Sequence, residues 1–315
     1  MKTNSLTSVL LSAFLLGAPA QTKKAGNVGQ TAFSQRTFAS AEEAATALGA
    51  AYARRDQKAI AEILGDKGYR LISSGDAVID HHEANWFRSL YREAHRVEPQ
   101  GERQAVLNLG RNEQPYPIPL VKVAGTWRFD PSEGHEDLLS RRISKAELSA
   151  VNLVIAYVSA QREYKSRGWS GGGQHEYAQR LASHSGKHDG LFWETTPGKG
   201  AGPLGELAEV AYEEGYRQRK GDEAAAYRGY VYRILKSQGP NALGGARSYL
   251  VGGRMTKGFA LVAFPVRYAV SGVLTFLVNQ DGTIYQKDLG PQTGELGQAM
   301  TQFNPDRSWT KGAGN

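Results

Sequence analysis

Three short stretches of this chain bring together residue types capable of chemistry. In the first, the turn Ser74-Gly75-Asp76 lies between Tyr69 and a run containing His81, Trp86 and Tyr91. A carboxylate and a histidine beside one turn would supply an acid and a base, and the rings an apolar wall. Tyr69, Asp76, His81, Trp86 and Tyr91 therefore form one candidate ligand-binding set. The same aromatic stripe also reads as core, because burying large rings dominates packing. The second stretch holds Lys187, Asp189 and Trp193, a Lys–Asp pair beside an indole, suited to a small ligand or glycan. Its structural alternative has Gly190 setting a turn, Trp193 plugging the core and the ions pairing locally. In the third, His184 and His188 stand four apart with Asp189 adjacent. That spacing suits a metal on a helix, but Ser185-Gly186 between them argues for a loop, so no metal is assigned. No catalytic residue is assigned either. Ser74 lacks the Gly-x-Ser-x-Gly elbow, and Asp76 reads as turn chemistry. Gly171 to Gly173 lacks the Lys-Ser/Thr of a phosphate cradle, and no cofactor is expected.

Helices and strands must position these groups. Ser40 and Glu43 form a capping box, after which Ala44, Leu48, Ala51 and Tyr52 share a helical face. A second helix runs from Asp56 with Ile60, Ile63 and Leu64 inward and Gly65 as its stop. Tyr69 to Ser73 reads as a short strand, and Asp80 to Glu83 as the capping box of a third helix. Strands follow at 105–109, 120–123 and 126–129, with Pro115, Pro117 and Pro119 marking an edge or bend. Helices against a curled antiparallel sheet make an α+β unit, similar to the nuclear-transport-factor-two-like cone. Asp130 to His135 reads as a hinge. Beyond it, Ser144 to Glu147 caps the longest helix, which stops near Gly168. A short helix at 176–181 and another at 203–213 precede strands at 230–235, 259–264, 273–278 and 283–287, and a last helix spans 295–300. The division expected is a signal peptide at 1–20, a flexible leader at 21–37, and α+β domains at 38–132 and 133–315.

The bulk numbers set the compartment. Lys2, the apolar run Val9 to Leu16 and Ala18-Pro19-Ala20 follow the order of a secretory signal. No later stretch reads as a membrane span. The chain has no cysteine, which excludes thiol catalysis and zinc–thiolate or iron–sulfur sites. Lys and Arg number 38 against 31 Asp and Glu, a net charge of +7. That excess could favour an acidic surface such as anionic lipid or polysaccharide. The basic residues are scattered, and no nucleic-acid motif appears, so nucleic acid is not an expected partner.

The segments Ile72 to Asp76, Tyr116 to Leu120, Ala156 to Tyr164 and Ser185 to Trp193, with Gly258 to Ala263 and Tyr285 to Gly290, resemble those of one bacterial family. It is the exported domain-of-unknown-function family 2950. The resemblance implies an envelope protein and brings no activity. The pair Ala160-Gln161-Arg162-Glu163-Tyr164 and Tyr177-Ala178 also resembles type IV pilin and pseudopilin heads, although no apolar stalk precedes it. The function expected is that of an exported, non-enzymatic binding or scaffolding protein, with an envelope protein or surface polysaccharide as partner. The alternative is a small-ligand-binding protein or hydrolase-like enzyme, using a pocket of the first domain with Asp76 and a histidine.

Overall fold

The structure is a computed structural model that describes residues 35–131, 135–170, 175–217 and 224–312. The expected signal peptide, most of the leader, the Gly171 to Gly173 loop and the centre of the expected hinge lie outside these residues. Three helices come first: α1 (Ala41–Arg54), α2 (Gln57–Ile72) and α3 (Ala77–Glu93). The capping box forms as its chemistry dictates: Ser40 Oγ accepts from the Glu43 N–H at 3.0 Å, and Glu43 accepts from the Ala39 N–H at 2.9 Å. Gly65 takes φ +69° and breaks α2, but the chain returns to helix. The expected strand at 69–73 is therefore helical. Leu64, Gly68 and Leu71, spaced three to four apart, are all buried, and that stripe outweighs the local strand reading. The third helix starts earlier than expected, because Asp76 rather than Asp80 is its cap.

The strands β1 (His95–Pro99), β2 (Gln104–Leu109), β3 (Gln114–Pro115), β4 (Leu120–Val123) and β5 (Thr126–Phe129) form an antiparallel sheet. Its order is β1-β2-β4-β5, with β3 also on β2. Of these, β1 had no clear sequence signal. Phe38 and Trp127 exchange backbone hydrogen bonds at 2.8 Å, and Gln35 donates to the Phe129 carbonyl at 2.6 Å. The end of the expected leader thus belongs to the fold.

Next comes α4 (His135–Arg167), which starts nine residues before the expected capping box at Ser144. It serves two hydrophobic cores. Leu139 packs on the first core with Leu48, Tyr52, Phe87 and Leu107, and Leu153, Tyr157 and Tyr164 belong to the second. Arg142 donates to the carbonyls of Arg70 and Leu71, occupying acceptors that the end of α2 leaves open. By length and composition α4 is apolar enough to cross a membrane, a test that a long core helix also passes. Much of its apolar surface is committed to the second core.

A two-stranded ladder of β6 (Trp193–Thr196) and β7 (Lys199–Ala201) precedes α5 (Gly205–Glu213). The hairpin β8 (Ala224–Tyr227) and β9 (Tyr230–Leu235) follows. Two short ladders pair β10 (Ser237–Gln238) with β11 (Arg247–Ser248), and β12 (Leu250–Val251) with β13 (Arg254–Met255). The chain continues through β14 (Ala260–Pro265), β15 (Leu274–Asn279), β16 (Tyr285–Asp288), α6 (Thr293–Ala299) and β17 (Thr310–Lys311). The main sheet is antiparallel in the order β17-β16-β15-β14-β9-β8. The fold is mixed α+β, with six α-helices and several antiparallel sheets among the described residues.

The helix expected at 176–181 does not form. Gln161, fully buried, accepts from the Ala178 N–H at 2.8 Å and donates to the Ala178 carbonyl and to Tyr157. Tyr177 donates its N–H to Met255. With these backbone groups held by distant partners, the segment is satisfied without a helical turn.

Candidate functional site

Asp76 ties the two cores together. It is 4% exposed, and its carboxylate accepts four hydrogen bonds. One oxygen caps α3 through the N–H groups of Val78 (3.0 Å) and Ile79 (3.3 Å). The other takes the Tyr216 hydroxyl and the Gly229 N–H, both at 2.9 Å. Gly229 and Arg228 both have positive φ and form the two-residue turn between β8 and β9. Behind Asp76, Asp80 accepts from Ser73 Oγ, the Ser74 N–H and Oγ, and the Gly75 N–H. Ser74 is 1% exposed and held by Asp80, so it has no access to a substrate. Glu214 forms an ion pair with Arg228, and its carbonyl accepts from His82 Nε2 at 2.8 Å.

Beside this junction lies a cavity of about 920 Å³, within the range that small-molecule sites occupy. Its apolar wall includes Leu153 of α4, Leu181, Leu204 and Ala208 of α5. Four tyrosines frame it: Tyr212, Tyr216, Tyr227 and Tyr232. Strand pairing sets Tyr232 opposite Ala263, and Arg233 opposite Val262, so neighbouring residues of β9 face opposite sides of the sheet. Arg233 is anchored to the carbonyls of Gly297 and Met300 at α6. Burial raises the phenol pKa values of Tyr216, Tyr227 and Tyr232, so each hydroxyl keeps its proton. Tyr216 donates to Asp76. The Tyr232 hydroxyl, on a residue 1% exposed, has no hydrogen-bond partner among the described residues. A buried donor left unmade costs about 1–3 kcal/mol, a cost the fold carries at this position.

The residues singled out from sequence fall in separate places. Asp76 lines this cavity, and Tyr91 lines a different one between α1 and α3. Tyr69 is half-buried and donates to Gln57, His81 is exposed, and Trp86 is 43% exposed. Asp76, His81 and Tyr91 therefore share no cavity. In the later loop, Asp189 bonds His184 rather than Lys187: His184 Nδ1 lies 2.5 Å from its carboxylate, and the His184 N–H donates to it at 2.8 Å. Burial opposes ionisation of Asp189, but the hydrogen bonds from His184 prevail and hold it below the usual carboxylate range. Lys187 is exposed. Trp193 is half-buried, with His188 stacked on it at 4.1 Å and Trp169 edge-on at 5.3 Å. Neither histidine of the spaced pair faces a shared point, and no group of three metal-ligating side chains occurs among the described residues.

Sequence reading passed over the four cavity tyrosines. The available signal was their density, since Tyr212, Tyr216, Tyr227, Tyr230 and Tyr232 crowd one short stretch of a chain holding 15 tyrosines.

No curated protein and no solved structure matches the chain. The model described as a protein of unknown function (DUF2950) matches residues 35–311, and the chain belongs to that family.

Proposed function

We propose that the protein is an exported, non-enzymatic binding protein that holds a small amphipathic molecule in the cavity beside Asp76. The observation that carries this reading is the cavity of about 920 Å³, with an apolar wall of Leu153, Leu181, Leu204 and Ala208 and polar groups from Tyr212 and Arg217 on its lining. The ligand is a neutral molecule with an apolar body and one hydrogen-bond acceptor, such as a carbonyl or ether. Asp76 acts as a structural tether in this reading, because all four of its hydrogen bonds are to the protein itself. Export is supported by the order Lys2, Val9 to Leu16 and Ala18-Pro19-Ala20. A likeness of the second core to pilin heads is part of the same proposal, supported by the Gln161–Ala178 bonds between the long helix and the segment ahead of the sheet.

The test is calorimetric titration with medium-chain fatty alcohols and methyl esters. Ala208→Phe, which fills the cavity from α5, is expected to abolish binding while circular dichroism stays unchanged. Undiminished binding by a folded Ala208→Phe variant would overturn the reading.

A second reading, partner docking in the envelope, rests on Leu148 and Ile155, which are 63% and 45% exposed on one side of α4. Crosslinking in envelope extract that is unaffected by Leu148→Lys would remove its basis.

A further inference from the structure

A second cavity, of about 630 Å³, lies between the C-terminal halves of α1 and α3, away from the tyrosine-framed one. Arg55, Arg88, Arg92 and His95 line it, together with the rings of Phe87 and Tyr91. No carboxylate is among its lining residues. The guanidinium groups of Arg55 and Arg92 make no hydrogen bond or ion pair among the described residues, and Arg88 reaches only the neutral amide of Asn85. Nearby arginines are balanced differently: Arg96 pairs with Glu113 at 3.0 Å, and Arg111 with Glu93 at 3.5 Å. The ends of two helices attract cations, but each carries only about half a charge and cannot match three guanidiniums.

The apolar floor is rigid. Tyr91 packs so closely on Gly49 that a Cβ there would sit 2.3 Å from its ring. Phe87 stacks on Tyr52 at 4.0 Å and is 2% exposed. The His95 ring lies flat on Tyr91, at 3.8 Å and 11°, with Nδ1 donating to the Tyr91 carbonyl at 2.9 Å, which leaves Nε2 free. Planar cationic forks around an aromatic floor recognise an oxyanion joined to an apolar or planar body.

We infer that this groove is a binding site for a small organic anion, a carboxylate, sulfate or phosphate ester carrying an apolar group. Arg88 and Arg92 grip the oxyanion while the rings of Tyr91 and His95 receive the body. The site does not depend on the tyrosine-framed cavity.

The experiment is calorimetric titration of the full chain at low salt with phenyl phosphate, inorganic phosphate and benzyl alcohol. Phenyl phosphate is expected to bind more tightly than either of the other two, and to weaken as salt rises. The double variant Arg88→Gln/Arg92→Gln should lose at least tenfold in affinity, and Ala208→Phe, which fills the other cavity, should lose nothing. Arg92 is exposed and Arg88 half-buried, and a thermal melt checks that the double variant folds. Equal affinity for phenyl phosphate in the double variant and wild type would overturn the assignment. So would benzyl alcohol or inorganic phosphate binding as tightly as phenyl phosphate. Sensitivity to Ala208→Phe would place the probe in the other cavity and overturn it as well.

Discussion

Replacing Asp76 by alanine tests whether one carboxylate joins the two cores. The loss has two parts. Removing the α3 cap costs about 1 kcal/mol, as helix caps commonly do. The Tyr216 hydroxyl and the Gly229 N–H then lose their shared acceptor inside the protein, where an unmade hydrogen bond costs about 1–3 kcal/mol each. The sum is about 3–7 kcal/mol, with relaxation around the site favouring the lower half of that range. Ser40→Ala is the internal control, because Ser40 caps α1 near the surface and reaches no distant partner. It should cost about 1 kcal/mol. Guanidinium denaturation followed by tryptophan fluorescence measures both variants. Asp76→Asn should fall between them, since its amide retains one acceptor oxygen for the cap but presents a donor to Gly229. If Asp76→Ala loses no more than Ser40→Ala, the tether is not energetically significant and the reasoning is refuted.

Three further outcomes follow from the geometry. Tyr232→Phe removes a hydroxyl without a partner, so stability should stay level or rise; a thermal melt showing a loss above about 1 kcal/mol refutes the assignment. Gly190→Ala places a Cβ 2.5 Å from the Ala182 carbonyl carbon and 2.6 Å from the Ser183 nitrogen, both backbone. It should destabilise by roughly 1–3 kcal/mol in denaturant, and wild-type stability would exclude that packing. Asp189 has a depressed folded pKa, so its contribution is full above the unfolded carboxylate value near pH 4 and is lost as pH falls through the folded value. The stability gap between wild type and Asp189→Asn should shrink below about pH 4, and a gap unchanged down to pH 2 contradicts it.

Features carried by near neighbours were legible in the sequence. The Ser40–Glu43 box, the faces of α1 and the early part of α2, and the strands at 105–109, 120–123 and 126–129 depend on residues a few positions apart. The positive φ of Gly168 just past α4 is similarly local. Errors arose where a local signal met a stronger distant one. The second half of α2 reads locally as strand, yet Gly68 and Leu71 are buried as a helical stripe. The segment at 176–181 reads as helix, yet Gln161 takes its backbone groups. The functional surfaces lie wholly beyond local reach. Asp76 meets Tyr216 and Gly229 across 140 and 153 residues of chain, and the tyrosines become a cavity only when residues of α4, α5, β8 and β9 converge on it. Composition and short-range periodicity determine element type because they act within a turn or a pleat. Only tertiary packing decides which carboxylate is a tether, which buried hydroxyl is left without a partner and which arginines stay unpaired, because those depend on which distant groups exclude water from one another.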